Sequence, residues 1–269
     1  TKIDRHAKTV EVYTHGETYS EHYDKLILAP GASPMKLPIQ GLDAENVFTL
    51  WSIPDADKVY RYLTTRDIKS AVVVGGGFVG IEMVENLVNR GIEVTLVEML
   101  DQVMNNVDRD MAQWLHMELN EKGVHLSFSE ALVRVEHNGG KANIVLASGK
   151  SISADMVILS AGIKPNTELA KAAGLSLGRK GHIIVDQMLT TNDPDIFALG
   201  DAVEVTNFIT NQRCVAALAA PANKQGRIAA GNVLGSRIPY RGAQMTSVAK
   251  VFSKTIAATG LTEKALKAD

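Results

Sequence analysis

Residues 72–82 read VVVGGGFVGIE, and few stretches of this length restrict a fold so tightly. A run of β-branched apolar residues marks a strand buried on both faces, as in parallel sheets. Gly75, Gly77 and Gly80 then set a G-x-G-x-x-G spacing, and a helical pattern, FVGIEMVENLVNR, continues until Gly91 stops it. Each glycine has a physical task. Gly75 permits a tight turn, Gly77 lets a pyrophosphate approach the backbone, and Gly80 lets helix and strand pack closely. The anion then meets unpaired N–H groups at a helix start. A second strand, EVTLVE, ends in Glu98, 18 residues after Gly80, where an acid accepts from a ribose 2′-hydroxyl. A carboxylate there repels a 2′-phosphate, so NADH is favoured over NADPH. A bare glycine pattern is often a chance loop; strand, helix and acid together make this one a dinucleotide site.

The chain has 269 residues, enough for one large core or two moderate ones. Its formal net charge is −2, with no long basic or acidic run. That argues against nucleic-acid or membrane-surface partners, both of which need a positive field. No stretch approaches the ~18 consecutive apolar residues of a membrane span, and no charged-then-apolar signal opens the chain. A single cysteine excludes an internal disulfide framework and any CxxC centre, and fits a cytoplasmic protein. The seven histidines are scattered, without an HxH or HxxxH pair, so no metal site is expected. Both ends read as cut: Thr1 stands where an initiator Met would, and TGLTEKALKAD stops inside a new element. The expectation is a piece of a longer protein.

Along the chain, TVEVY and ETYSEHY alternate around His15-Gly16 as a hairpin, and KLILA is a short buried strand closed by Pro30-Gly31. SIPDADKVYRYL is a helix with Ser52 as cap, Pro54 in the first turn and Asp55 and Asp57 at the positive end. Its apolar face is Ala56, Val59, Tyr60 and Leu63. A helix from about Asp108 to Lys122 carries Met111, Leu115 and Leu119 on one face. ALVRVEH, KANIVLA and KSISA follow as three short strands, and DMVILSAG as another buried one. Further on, DIFALG runs into Gly200-Asp201, placing a carboxylate at a strand's C-terminal end, where open α/β sheets bind ligands. A turn or cap aspartate is the alternative there. A helix begins near Pro221. The fold class is α/β, in three layers, with a parallel sheet and an antiparallel β-meander.

YDKLILAPGASP, VVVGGGFVGIE, LSAGIKPN, IFALGDAVEV and LAAPANKQGR occur in that order. So arranged, they strongly resemble the flavin-dependent pyridine nucleotide–disulfide oxidoreductases. PANKQGR and TSVAKVFSKTIAATGLTEKAL resemble the branch of coenzyme A-disulfide reductases, NADH oxidases and NADH peroxidases. NVFTLWSIPDADKV leans toward the coenzyme A-disulfide or polysulfide reductases. The resemblance implies a Rossmann-like NAD(H)-binding domain at 51–166, inserted in a partial FAD-binding domain formed by 1–50 and 167–238. Residues 239–269 would open a truncated dimerisation domain.

By that resemblance Gly75, Gly76, Gly77, Phe78, Val79, Gly80 and Glu98 hold NAD(H), with Glu82 near the nicotinamide and Gly162 bordering the cofactor cleft. Ala29, Pro30, Gly31, Gly200 and Asp201 would bind FAD, Asp201 at its ribityl hydroxyls. The helix around Ala220 and Pro221 would aim its positive end at the flavin ring. Asn223 and Lys224 would line the disulfide-substrate side. The implied activity is hydride transfer from NADH to FAD, then electron transfer to a cysteine thiol and a disulfide, in a cytoplasmic homodimer. The family's FAD glycine loop and redox cysteine precede the part matching residue 1. No catalytic residue is therefore expected here, and the chain alone is expected to be inactive.

Cys214 lies between Arg213 and VAALAAP, with no histidine beside it and away from the family's nucleophile position. In apolar surroundings a cysteine has a raised pKa and packs as a small hydrophobe. Trp51 and Trp114 are read as packing residues, and Met99, Met104, Met111 and Met117 as helix and loop packing. Two other readings stay open: an NADH oxidase or peroxidase built on the same sites, and a stand-alone NADH-binding module. A ferredoxin-type reductase fits PANKQGR and the C-terminal stretch less well.

Overall fold

Side chains alternate across a strand, so the segment SAVVV, apolar on both faces, must be covered from both sides. The computed structural model, which describes residues 1–267, shows how. The chain forms two units, Thr1–Ser33 with Lys164–Ser247, and Pro34–Ile163 with Val248 onward. The second unit holds β1 (Val47–Thr49), α1 (Ile53–Thr65), β2 (Ser70–Val74), α2 (Phe78–Val88), β3 (Glu93–Glu98), α3 (Arg109–Glu121) and β4 (His125–Phe128). It continues with β5 (Leu132–Asn138), β6 (Lys141–Leu146), β7 (Ser151–Ala154) and β8 (Met156–Leu159). Five strands form one parallel sheet in the order β1-β8-β2-β3-β4, and β5, β6 and β7 form an antiparallel meander.

The alternation is visible in the packing. Ala71, Val73, Val94, Leu96 and Ile158 are buried with Val59 of α1, Ile81, Val84 and Leu87 of α2, and Leu115 and Leu119 of α3. Val72, Val74, Val97 and Val157 are buried with Leu132, Val135, Ala142 and Ile144 of the meander. The layers are helices, parallel sheet and meander. Residues such as Val72, Val73, Leu96 and Ile158 lose all access to water, each worth roughly 1.5–3 kcal/mol of transfer free energy.

At the start of α1 the Ser52 backbone N–H and hydroxyl both donate to the Asp55 carboxylate, at 3.0 and 2.7 Å. The apolar face of α1 differs from the sequence expectation. Val59 and Tyr62 are buried, whereas Tyr60 points outward beneath the Arg90 guanidinium. Tyr62 can enter the core because its hydroxyl finds an acceptor, the Asp155 carbonyl at 3.2 Å, while its ring meets Phe48 edge-on. On α3 the inner face is Ala112, Leu115, His116 and Leu119, one position on from Met111. Met111, Trp114 and Met117 are at least half exposed, as is Met99, and Trp51 is nearly so; of the residues expected to pack, Met104 is buried.

Domain limits also fall differently. β1 adds to the parallel sheet beside β8, so the unit that holds this sheet begins at Pro34 rather than 51. The hairpin β9 (Ser247–Val251) and β10 (Lys254–Ala258) places Val251, Phe252 and Ile256 in the helical core of that unit. Glu85 of α2 accepts the Phe252 N–H, and Glu118 of α3 accepts the Ser253 N–H and hydroxyl, each at 3.0 Å.

The other unit opens with the antiparallel strands Lys2–Asp4, Thr9–Thr14 and Glu17–His22 around the expected hairpin turn. Leu26–Leu28 pairs in parallel with Ile196–Ala198. Ile3, Leu28, Ile183, Leu189, Ile196 and Val203 form its core with Ala229 of the helix Ala219–Val233. Among the described residues, no helix is long and apolar enough to cross a membrane.

Candidate dinucleotide site

The turn from β2 into α2 distributes its glycines by steric need. Gly75 adopts φ +107°, and its N–H donates to the Val97 carbonyl at 2.8 Å; a methyl group there would overlap the Ser160 carbonyl. At Gly80 a methyl group would overlap the Gly75 carbonyl, which is the contact that lets α2 lie close to β2. Gly77 is different. It is exposed, has an ordinary φ of −78° and has no atom within 4 Å of where a Cβ would stand. It is also the N-cap of α2, and no side chain caps that helix. The first N–H groups of α2 therefore lack an intrahelical acceptor and face an open approach. Such a cradle suits a pyrophosphate.

Glu98, at the end of β3, stands beside this loop. Its Oε2 accepts the Gly76 N–H at 2.6 Å and its Oε1 accepts the Leu100 N–H at 2.8 Å. Two backbone donors hold the carboxylate in place, and its remaining lone pairs can accept from hydroxyls. Phe78 and Val79 are half-buried in the first turn of α2, whereas Glu82 is exposed one turn on. Gly162, just beyond β8, has φ +101° and an exposed surface; its carbonyl accepts the Met35 N–H at 2.9 Å.

Two residues that sequence reading passed over complete the surroundings. The loop from Met99 to Val107 joins β3 to α3. Within it the Gln102 side chain donates to the Val107 carbonyl at 3.0 Å, and the Val103 N–H donates to Nε2 of His116 at 3.2 Å. Both side chains are buried. Burial pushes the His116 imidazole below its ordinary pKa, which keeps Nε2 an acceptor at neutral pH. The signal was present: His116 sits between Leu115 and Leu119 on the apolar period of α3, a polar residue where the pattern asks for a hydrophobe.

The flavin-side candidates all lie in the first unit. Ala29 and Pro30 are exposed, and Gly31 has φ +67°. Asn166 braces this turn: its N–H donates to the Gly31 carbonyl and its Nδ2 to the Pro30 carbonyl, both at 3.0 Å, while the Ser33 hydroxyl donates to its Oδ1 at 2.9 Å. Gly200 and Asp201 form a 3-10 turn at the C-terminal end of Ile196–Ala198, and Asp201 is half-buried. The Gly200 N–H donates at 2.8 Å to the side chain of Gln225, which is only 1% exposed. Gln225 thereby ties the Asp201 turn to the helix Ala219–Val233. That helix begins at Ala219, with Ala220 and Pro221 in its first turn and no side-chain cap. Asn223 and Lys224 are exposed on it, and Asn223 accepts from the Arg227 guanidinium.

Cys214 is half-buried, in a two-residue strand opposite Val205, against the core of the first unit. Burial, reinforced by Glu204, raises its thiol pKa. Among the described residues no three His, Cys, Asp or Glu side chains gather at ligand distance.

The sequence model of the pyridine nucleotide-disulphide oxidoreductases matches residues 1–226. The chain belongs to this family. Among curated members it is 36% identical to an NADH oxidase of Methanocaldococcus jannaschii, over 92% of this chain and 55% of that protein. It is 34% identical to an NAD(P)H sulfur oxidoreductase (CoA-dependent) of Pyrococcus furiosus, over 97% and 61%. With the coenzyme A disulfide reductase of Staphylococcus aureus it shares 31%, over 98% and 60%. The chain thus spans 55% to 61% of the length of these relatives. Two solved structures superpose over all of it. They are reduced CoADR-RHD from Bacillus anthracis, with 46% identity, TM-score 0.94 and 48% of that chain covered, and the NAD-dependent persulfide reductase of A. fulgidus, with 40%, 0.96 and 50%. A water-forming NADH oxidase from Lactobacillus brevis bound to NADH superposes with TM-score 0.94 at 30% identity, with 59% of that chain covered.

Proposed function

We propose that this chain is the NAD(H)-docking portion of a flavin-dependent disulfide reductase of the coenzyme A-disulfide or polysulfide type. Gly75, Gly76, Gly77, Phe78, Val79 and Gly80 take the cofactor pyrophosphate, and Glu98 accepts from the adenosine ribose hydroxyls. Glu82 and Gly162 flank the nicotinamide. Ala29, Pro30, Gly31, Gly200 and Asp201 take FAD, with the positive end of the helix carrying Ala220 and Pro221 toward its ring; Asn223 and Lys224 face a disulfide. When bound, NADH supplies a hydride and FAD accepts it. The chain's residues position these groups: the uncapped start of α2 neutralises the pyrophosphate, and Glu98 selects the hydroxyl over a 2′-phosphate.

The observation that carries this reading is the contrast between Gly77, open at the uncapped start of α2, and the tightly packed Gly75 and Gly80 beside it, with Glu98 fixed alongside. The names of relatives support the acceptor class, sulfur oxidoreductase and coenzyme A disulfide reductase among them. A second reading, reduction of oxygen, is favoured by relatives named NADH oxidase at 36% and 35% identity. Calorimetric titration tests the docking assignment. NADH should bind more tightly than NADPH, and Glu98→Arg should narrow or invert the preference. Equal affinities in the unaltered chain would overturn it. To separate the acceptors, the segment of the S. aureus relative that precedes the matched part is fused ahead of Thr1. NADH-dependent thiol release from coenzyme A disulfide is expected; NADH consumption by oxygen without thiol release supports the second reading.

A further inference from the structure

We propose that His116 is a positioning residue of the nucleotide site, holding the Met99–Val107 loop against the glycine loop so that nucleotide affinity depends on it. The assignment rests on reading Gly75–Gly80 and Glu98 as the dinucleotide cradle.

The loop is attached to the cradle at successive points. The Leu100 N–H donates to Glu98, and the Ser129 N–H donates to the Leu100 carbonyl at 2.9 Å. The Met104 N–H donates to the Gly76 carbonyl at 2.9 Å. A Val103 methyl carbon lies 3.0 Å from where a Cβ on Gly76 would be, so Val103 packs directly on the glycine loop. Met104 holds φ +49°, a backbone region that few non-glycine residues enter. Between these contacts the Val103 N–H is buried, and its partner is Nε2 of His116. A buried donor left without an acceptor costs more than an ordinary hydrogen bond gains. His116 itself is fixed, 6% exposed, with its ring centroid 4.6 Å from that of Phe128 on β4. Its place in the fold gives a continuous path: α3, His116, Val103, Gly76, Glu98.

Protonation of His116 would aim an N–H at the Val103 N–H and break this path. Besides burial, which is the largest influence and opposes the charge, two groups act on the ring: Arg109 opposes the charge and Asp101 favours it. These two pair with each other at 3.3 Å on the surface, and Phe128 is apolar. The imidazole pKa is thus held below its ordinary value, and the contact is present at neutral pH and lost as the solution becomes acid.

The test is calorimetric titration of the whole chain with ADP-ribose, which carries the adenosine and pyrophosphate and survives acid. Unaltered chain, His116→Gln and His116→Phe are compared at about pH 7.5 and in steps down to about pH 4, well below the ordinary histidine range. Circular dichroism records the folded fraction in each case. A glutamine oxygen can accept the Val103 N–H without titrating; a phenylalanine fills the space and accepts nothing. The unaltered chain should lose about tenfold in affinity in acid beyond whatever loss His116→Gln shows. His116→Gln should match the unaltered chain at the higher pH, and His116→Phe should bind about tenfold more weakly there. Equal pH slopes in the unaltered chain and His116→Gln overturn the assignment, as does full affinity in His116→Phe. If His116→Phe does not fold, the glutamine comparison decides alone. Absence of ADP-ribose binding to the unaltered chain at the higher pH instead rejects the dinucleotide reading on which the assignment stands.

Discussion

Gly75 and Gly77 stand two residues apart, and a methyl group meets opposite circumstances at each. At Gly75 it meets the Ser160 carbonyl and a φ of +107°. Gly75→Ala should therefore cost about 2 kcal/mol or more of stability, seen as a lowered denaturant midpoint. At Gly77 the backbone is ordinary and the space empty. Gly77→Ala should fold with a stability change within about 1 kcal/mol, yet lose roughly tenfold in NADH affinity, because the methyl group stands where the pyrophosphate approaches. Unchanged NADH affinity in Gly77→Ala would place the anion elsewhere. Cys214 illustrates a third circumstance, a thiol kept protonated by burial and by Glu204. Cys214→Ser should leave NADH binding unaltered and cost on the order of 1 kcal/mol, measured by denaturant unfolding. Thiol release from a disulfide that disappears with Cys214→Ser would make it a nucleophile after all.

Among the elements, the β9–β10 hairpin is held to α2 and α3 by Glu85 and Glu118 as well as by Phe252. The Glu118 carboxyl is held below the usual carboxylate range, first by the Ser253 N–H and then by its hydroxyl, against an opposing desolvation. A group whose pKa is lowered by folding stabilises the fold above its unfolded pKa and ceases to do so as pH falls through its folded value. The unaltered chain should thus be more stable than Glu118→Gln near neutrality, and the two melting temperatures should converge below about pH 4, under the ordinary glutamate value. A constant difference across that range would assign the effect to packing. The strand–loop–helix rhythm around residues 70–98 was legible because buried parallel strands are continuous apolar runs and a glycine spacing has few uses. Less legible were Tyr62 over Tyr60, and His116 over Met111. In each case a polar atom enters the core because a distant backbone partner, the Asp155 carbonyl or the Val103 N–H, awaits it. Such partners are set by tertiary contact and leave no periodic trace. Met111, Trp114 and Met117 mislead for the converse reason: hydrophobicity at helical spacing does not say which side of the helix is covered. Gln225 and Asn166 lay inside quoted motifs, yet their bracing of the Asp201 and Pro30 turns follows only from the folded geometry.

At the scale of the whole molecule, the two candidate sites differ in completeness. Every residue assigned to NAD(H) lies in the second unit, whose sheet is covered on both faces. The residues assigned to FAD lie in the first, whereas the chain's single G-x-G-x-x-G lies in the second. Asp201, the Ala29–Gly31 turn and the helix carrying Pro221 would reach only the ribityl and ring parts of a flavin. A flavin pyrophosphate would be without the uncapped glycine-loop anchor that Gly77 and α2 offer the other cofactor, forgoing several charge-assisted hydrogen bonds of roughly 1.5–3 kcal/mol each. That amounts to about a thousandfold or more in affinity. Among the described residues, Leu26–Leu28 pairs with Ile196–Ala198 alone, and its other edge is open, which favours self-association. The 269-residue chain, purified by itself, should accordingly be colourless, bind NADH, and form concentration-dependent aggregates visible by light scattering. Stoichiometric flavin absorbance retained through gel filtration would show that the ribityl and ring contacts suffice without a second glycine loop.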